Sequence, residues 1–406
     1  MAQAGFSVRK IRHPSGRQSW WIFTPEGELH RPSLNLLKKY ATSTQQTYAY
    51  NLVDHLTWMA MHRKAPNTIT IDDLLRYMNG LTGSDGIYGA AYWRPGRPPL
   101  SSSTACNVAT VLKAYYLSLP ACEGVSDELI DALSATPAGS RKHRGHESSK
   151  GNPLAPKKGS RRPRFVPNEL VEALFSPGVL TTARDVMIVT WLHDGGLRVG
   201  GLCGLRFCDL HLTRHHPCGQ REVPHLHIVG RDDNPNGARA KAYGPTSVSR
   251  DGHVIDGVIR AVSPDMVSTY HAYLLDEYVP IQHLARHEQV LVHTAGNTIG
   301  QALSTSAVRK MLRKSCTRAG VDGYITPHAL RHKAAAALYE ASDFNAEMVA
   351  QEFGWSSPEM VTGLYGRSAH RQATEHLKQA WGTTARPAIE PYLALPTEMG
   401  VAGEQG

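Results

Sequence analysis

Residues 141–164 divide this chain in two. Nine basic side chains stand there (Arg141, Lys142, Arg144, Lys150, Lys157, Lys158, Arg161, Arg162, Arg164) against one acid, Glu147, among three glycines and three prolines. A stretch of like charge with that much glycine and proline cannot build an apolar face, so it reads as a flexible linker between two folded parts. Nine bases less one acid make +8 of the chain's net +9, which leaves the flanking parts nearly neutral. The natural partner of such a segment is a polyanion, DNA or RNA, because each Lys or Arg that neutralises a phosphate releases a counterion. The alternative is a solvated linker charged only for solubility.

The 406 residues suffice for two or three domains of ~150 residues, and 41% hydrophobic content argues against wholesale disorder. No stretch approaches the ~18 apolar residues of a membrane span. Six cysteines are too sparse for a disulfide scaffold, and the first residues show no apolar leader core before Arg9-Lys10. A reduced cytoplasmic setting is the expectation.

Before the linker, residues 1–34 read as an extension, with a small hairpin possible where Gln18–Thr24 meets Pro25-Glu26-Gly27. Residues 35–138 read as helical. Ser43 and Gln46 have capping-box spacing ahead of Tyr48, Leu52, Leu56 and Met59, and further helices are expected over Ile71–Leu81 and from Ser102–Ser103 through Tyr115. After the linker, Pro167–Phe175 and Ala183–His193 read as helices. Residues 225–229 alternate like a strand, with a second strand expected near Val248 or His253–Ile255 beyond a turn at Asp232–Gly237. From Ser263 helices dominate, and 385–406 read as a loose tail. The expected fold class is mainly α with a small antiparallel β-sheet (α+β).

Three clusters carry chemistry: Gly195–Leu202 with Arg198; Thr326–His332 with His328 and Arg331; and Gly354–Met360 with Trp355, followed by Tyr365. A helix opened by Thr326-Pro327 places His328 and Arg331 at i,i+3 on one face. There a guanidinium can fork onto a phosphate while an imidazole handles a proton.

In this order and spacing the clusters resemble the tyrosine recombinase (phage integrase) family. The resemblance covers about 165–370 for the catalytic domain, with bounds of 165–384 expected, and more weakly 35–120 for a helical DNA-binding domain. The basic segment 139–164 falls where the family joins the two halves of a DNA clamp. The resemblance implies that Arg198 and Arg331 hold the scissile phosphate, that His328 manages a proton near Tyr365, and that Trp355 stands at the family's His/Trp position. Tyr365 is then the nucleophile. The family's hairpin lysine falls on Lys241, the only lysine between Lys158 and Lys310. Further implications are double-stranded DNA as partner, contacted also by Arg141, Lys142, Lys157, Lys158, Arg161 and Arg162, a homotetramer on paired DNA sites, no cofactor, and a nucleoid-associated location. A DNA-binding protein of this fold without catalysis, and a type IB topoisomerase, are the alternatives. His332 reads as structural.

The chain departs from the family pattern twice. Gly201 stands where an acidic residue is common, and Trp355 and Tyr365 are ten residues apart rather than nine. One extra helical residue rotates a side chain by about 100° and advances it about 1.5 Å, which a later helix start would absorb. Separately, Cys203, Cys208, His211, His215, His216, Cys218, His225 and His227 crowd together. His211 and His215 fit a zinc-type H-x₃₋₅-H spacing, and Cys203 and Cys208, with four residues between them, stand at the wide limit of C-x₂₋₄-C. With 21 histidines in the chain, crowding is weak evidence, and no metal is expected.

Overall fold

The computed structural model describes residues 5–14, 18–83, 93–94, 96–119, 124–135, 151–156, 166–241, 254–255 and 257–365. The chain divides into two compact units, Met1–Arg161 and Arg162–Gly406.

In the first unit, strands β1 (Ser7–Arg12) and β2 (Gln18–Phe23) pair antiparallel from Ser7↔Phe23 to Arg12↔Gln18. Gln18–Phe23 pairs along its length with the segment before it, and across the turn at Pro25–Gly27 a single antiparallel bridge, Phe23↔Leu29, closes a minimal hairpin. The pair is no mere extension: Ile22 is buried in one core with Leu36, Leu52 and Leu112. Helices α1 (Arg31–Leu37), α2 (Thr42–Met61), α3 (Ile71–Thr82), α4 (Ser102–Tyr116) and α5 (Asp127–Ser134) complete it. Helix α2 begins at Thr42 with Ala41 as N-cap, so Ser43 lies inside the helix and does not open it. In α3 the capping box is Thr70 with Asp73: the Asp73 amide donates to Thr70 Oγ1 and the Thr70 amide to Asp73 Oδ2. On α4, Val108, Val111, Leu112 and Tyr115 are buried at the helical spacing the sequence shows.

Part of the expected linker is not free. Leu154 is buried in the same core, Lys113 Nζ donates to the Gly151 carbonyl at 3.2 Å, and Cys106 Sγ lies 3.4 Å from the Pro156 carbonyl. One apolar residue among the charges anchors 151–156 to α4. Arg141, Lys142, Lys157, Lys158, Arg161 and Arg162 lie outside the described residues, as do 366–406.

The second unit opens with α6 (Asn168–Leu174), α7 (Ala183–His193) and the short α8 (Val199–Gly204). Helix α7 starts where Thr182 Oγ1 accepts from the Asp185 amide, and it is buried nearly all round. Its Trp191 is fully buried, with Nε1 donating to the Met266 carbonyl at 2.9 Å. A three-stranded antiparallel sheet follows in the order β3 (Leu210–His211), β4 (His225–Ile228), β5 (Val258–Ala261). Of the expected positions for a second strand, Val248 and His253 lie outside the described residues and Val254 forms an isolated bridge; the described strand here is 258–261. Arg260 interrupts its apolar run and hides the strand from a pattern search. Helices α9 (Pro264–Tyr273), α10 (Thr305–Arg318), α11 (Pro327–Ala341) and α12 (Ala346–Phe353) follow, and residues 358–365 are helical.

Candidate active site

The Gly-Leu-Arg turn is the pivot of the site. Gly196 adopts φ +56°, the left-handed region that favours glycine, and a Cβ there would overlap the Phe353 ring and lie 3.1 Å from Ala334 Cβ. The tight turn sets Arg198 at the N-cap of α8. Two residues on, a Cβ on Gly200 would overlap the Arg239 carbonyl, so α8 lies directly against the segment leading to Lys241. Gly201 is less confined, its missing Cβ 3.1 Å from a side-chain methyl, Ile228 Cγ2. A side chain at that position would press on the Ile228 methyl.

Helix α11 is opened by Thr326, whose Oγ1 accepts from the Ala329 amide, with Pro327 at its first position. Its first turns carry His328, Arg331 and His332. Arg331 is 2% exposed and joins all three clusters. Its Nη1 donates to the Gly196 carbonyl at 2.7 Å and its Nη2 to the Phe353 carbonyl at 2.5 Å, while its guanidinium lies over the rings of Phe353 and Trp355. Arg331 Nε is buried with no hydrogen-bond partner among the described residues. Two of the five guanidinium N–H bonds are therefore spent on backbone.

Arg331 lines a narrow pocket with Arg198, Lys241 and Arg260, floored by Gly201, Ile228, Val258 and Phe353. Burial, then the charges of Arg198 and Arg260, pull its pKa down to about 9. Desolvated like charges on one cavity gain most from an anionic ligand. The pocket brings together three of the residues singled out in the sequence: Arg198, Lys241 and Arg331.

Sequence reasoning missed Arg260. It is 4% exposed, donates from Nε and Nη2 to the Gly195 carbonyl and from Nη1 to the Glu352 carbonyl, and pairs with Glu352 Oε1 at 3.1 Å. Glu352 is also held by Arg221 at 2.7 Å. Burial lowers the Arg260 pKa to about 10 despite the Glu352 charge. An arginine inside an otherwise apolar strand was the available signal.

Tyr365 sits beside the pocket, 1% exposed. Its hydroxyl is 2.6 Å from His332 Nδ1, and His332 Nε2 is 3.0 Å from His328 Nε2. If the tyrosine O–H donates to Nδ1, His332 donates onward from Nε2, giving a Tyr365–His332–His328 chain that ends at an exposed imidazole. The residue in contact with the tyrosine is thus His332, which the sequence suggested was structural, and His328 stands one step further out. Burial, followed by His328 and Arg331, lowers the His332 pKa to about 4. Local desolvation, followed by Arg331, Arg198 and Lys241, lowers that of His328. Burial raises the Tyr365 hydroxyl well above its ordinary value, with Arg331 opposing. Trp355 stacks on Phe353 at 5.4 Å between ring centroids and packs against Tyr365 at 6.0 Å.

With the geometry established, the chain can be set beside known proteins. Residues 261–372 match the phage integrase family. Transposase A from transposon Tn554 of Staphylococcus aureus is 28% identical over 157 residues, 39% of this chain and 36% of that protein. A tyrosine recombinase of Agathobacter rectalis is 25% identical over 182 residues, 45% of this chain and 47% of the relative. The aligned segment thus spans about a third of the transposase and about half of the recombinase. Among solved structures, XerH site-specific recombinase bound to a palindromic difH substrate shares the fold with TM-score 0.53 and 15% identity, over 85% of this chain and 82% of that one. The Tn1549 transposon integrase in complex with circular intermediate DNA has TM-score 0.50 and 11% identity, over 84% of this chain and 98% of that one. The segment similar to the phage integrase family carries His328, Arg331, Trp355 and Tyr365, and its Arg331 reaches back to the Gly196 carbonyl, two residues before Arg198.

Proposed function

We propose that this protein cleaves and rejoins double-stranded DNA at specific sites through a 3′-phosphotyrosyl intermediate on Tyr365. The observation that carries this reading is a cationic pocket of Arg198, Lys241 and Arg331 beside a tyrosine hydrogen-bonded to His332. Two proteins of the same fold solved with DNA, the XerH site-specific recombinase and the Tn1549 transposon integrase, support it.

Tyr365 Oη attacks the scissile phosphorus as its proton passes to His332 Nδ1. His332 in turn releases its Nε2 proton to His328. Arg198 and Arg331 hold the non-bridging oxygens and the charge that builds on them in the transition state, where buried donors act most strongly. Lys241 gives a proton to the leaving 5′-oxygen, so one bond to phosphorus forms as another breaks and a 5′-hydroxyl is freed. A 5′-hydroxyl from a partner strand reverses the step. The bond energy is kept in the phosphotyrosine, so the chemistry requires neither nucleotide nor metal ion. Trp355 positions Arg331 and packs against Tyr365.

Tyr365 is buried before attack, so DNA binding must shift the helix that carries it. Pairing of two DNA sites by a homotetramer, and backbone contacts from Arg141, Lys142, Lys157, Lys158, Arg161 and Arg162, belong to the same proposal, as does a cytoplasmic location on the nucleoid.

The test is incubation with nicked duplexes built from DNA flanking the gene, without added metal. An SDS-resistant adduct is expected, absent from Tyr365→Phe. An adduct that survives that substitution refutes the mechanism. Tight binding without any adduct favours the non-catalytic alternative.

A further inference from the structure

The histidine- and cysteine-rich stretch that the sequence pattern argued against as a metal site closes into one cluster on the sheet. His211 on β3 and His225 on β4 are direct cross-strand partners, and His227 lies two residues further on the same face of β4. Cys218 comes from the intervening loop. All four side chains are buried, and their ligand atoms lie within 4.8 Å of one another. His215, the partner that spacing favoured, is exposed and outside the cluster, as are the buried Cys203 and the exposed Cys208.

Three of the four atoms form a near-equilateral triangle. His211 Nδ1 is 3.1 Å from Cys218 Sγ and 3.2 Å from His225 Nε2, and Cys218 Sγ is 3.1 Å from His225 Nε2. Tetrahedral zinc with Zn–N of about 2.0–2.1 Å and Zn–S of about 2.3 Å gives ligand–ligand edges of about 3.3–3.6 Å, so the triangle needs to open by only a few tenths of an ångström. The outer nitrogens fix the tautomers. His211 Nε2 is 3.2 Å from the Cys208 carbonyl and His225 Nδ1 is 2.8 Å from the Val223 carbonyl. A carbonyl only accepts, so those nitrogens carry the protons and the lone pairs of His211 Nδ1 and His225 Nε2 face each other across Cys218. Two acceptors and one thiol are a poor hydrogen-bond set but a good metal set, and carbonyl-anchored imidazoles are what metal sites use to orient their ligands.

We propose that His211, Cys218, His225 and His227 bind one structural zinc ion, a CysHis₃ site formed as the Cys218 thiol gives up its proton. The site lies on the opposite face of β4 from the pocket. His225 and His227 point one way, while Leu226 and Ile228 point the other, cross-strand from Arg260 and Val258. With four protein ligands and no open position the ion would hold the fold rather than take part in the reaction. It would staple β3, the 212–224 loop and β4 behind the wall that carries Ile228. This inference does not rest on the DNA-cleaving reading.

The test is metal analysis of the full-length protein expressed with zinc. About one zinc per chain is expected, falling below about a tenth of that in His225→Ala and Cys218→Ser, with His215→Ala retaining the full amount. To keep the test independent of how the ligand variants fold, the wild-type protein is also stripped with a chelator and titrated with cobalt(II). A tetrahedral visible spectrum with a thiolate charge-transfer band is expected. Protein isolated without zinc that takes up cobalt with no such spectrum overturns the proposal, and so does full zinc content in folded Cys218→Ser.

Discussion

Replacing Gly196 by alanine tests how the three clusters are held together. The backbone there is at φ +56°, and the new Cβ would overlap Phe353, whose ring supports the guanidinium groups of Arg260 at 4.1 Å and Arg331 at 5.0 Å. A left-handed conformation costs an L-residue about 1–2 kcal/mol, and overpacking a buried aromatic adds about 1–3 kcal/mol. The sum, about 2–5 kcal/mol, corresponds to a midpoint lower by roughly 4–20 °C for a unit of this size. Gly178 is the matched control. Its φ is +80° with nothing within 4 Å of the missing Cβ, so Gly178→Ala should cost the conformational part alone, about 1–2 kcal/mol. Urea or thermal unfolding of both variants measures the difference, and adduct yield reports the site. Equal losses in the two variants would show that Phe353 yields freely and that the turn is not braced as described.

Other outcomes follow from single groups. His55 is fully buried with Nε2 2.7 Å from Tyr116 Oη, and burial lowers its pKa to about 3. It is neutral in the fold, so its contribution is intact above the unfolded value of about 6.5 and is lost as pH falls toward 3. That amounts to about 2 kcal/mol at pH 5, and His55→Gln should flatten the pH dependence of the urea midpoint over this window. A mutant as acid-sensitive as the wild type would contradict this. Lys241→Ala should slow cleavage about 10²–10⁴-fold on ordinary DNA. A substrate with sulfur at the 5′-bridging position should recover most of that rate, because a thiolate leaves without a proton; an equal defect on both substrates removes Lys241 from the leaving group. Arg260→Gln strips the Gly195 carbonyl and one side of Glu352 of donors and should cost about 2–3 kcal/mol in unfolding experiments, whereas a change under about 0.5 kcal/mol would make its contacts incidental.

What the sequence disclosed and what it hid have physical reasons. Helix α7 matches its expected span because Thr182 and Gly195-Gly196 mark its two ends chemically. Arg198, Lys241 and Arg331 could be singled out because each lies in a motif or is alone of its type, and the fold brings them to one pocket. Strand β5 was hidden because Arg260 breaks its apolar run, and the burial of Leu154 because it stands as a lone large apolar residue among Gly, Asn, Pro and Ala inside a basic segment. His332 looked structural since only tertiary packing brings residue 365 back onto α11. The four-residue metal cluster escaped the spacing rule because antiparallel pairing, not a short motif, puts residues 211 and 225 side by side. Local patterns report the element a residue sits in; long-range pairing decides what it faces.

The most direct measurement is to digest the trapped protein–DNA adduct and sequence the peptide that carries the nucleotide. A 3′-phosphonucleotide on Tyr365 is the result this account predicts. A nucleotide on any other residue, such as Tyr339 beneath it or His332 beside it, would contradict the assignment on which the whole site has been built.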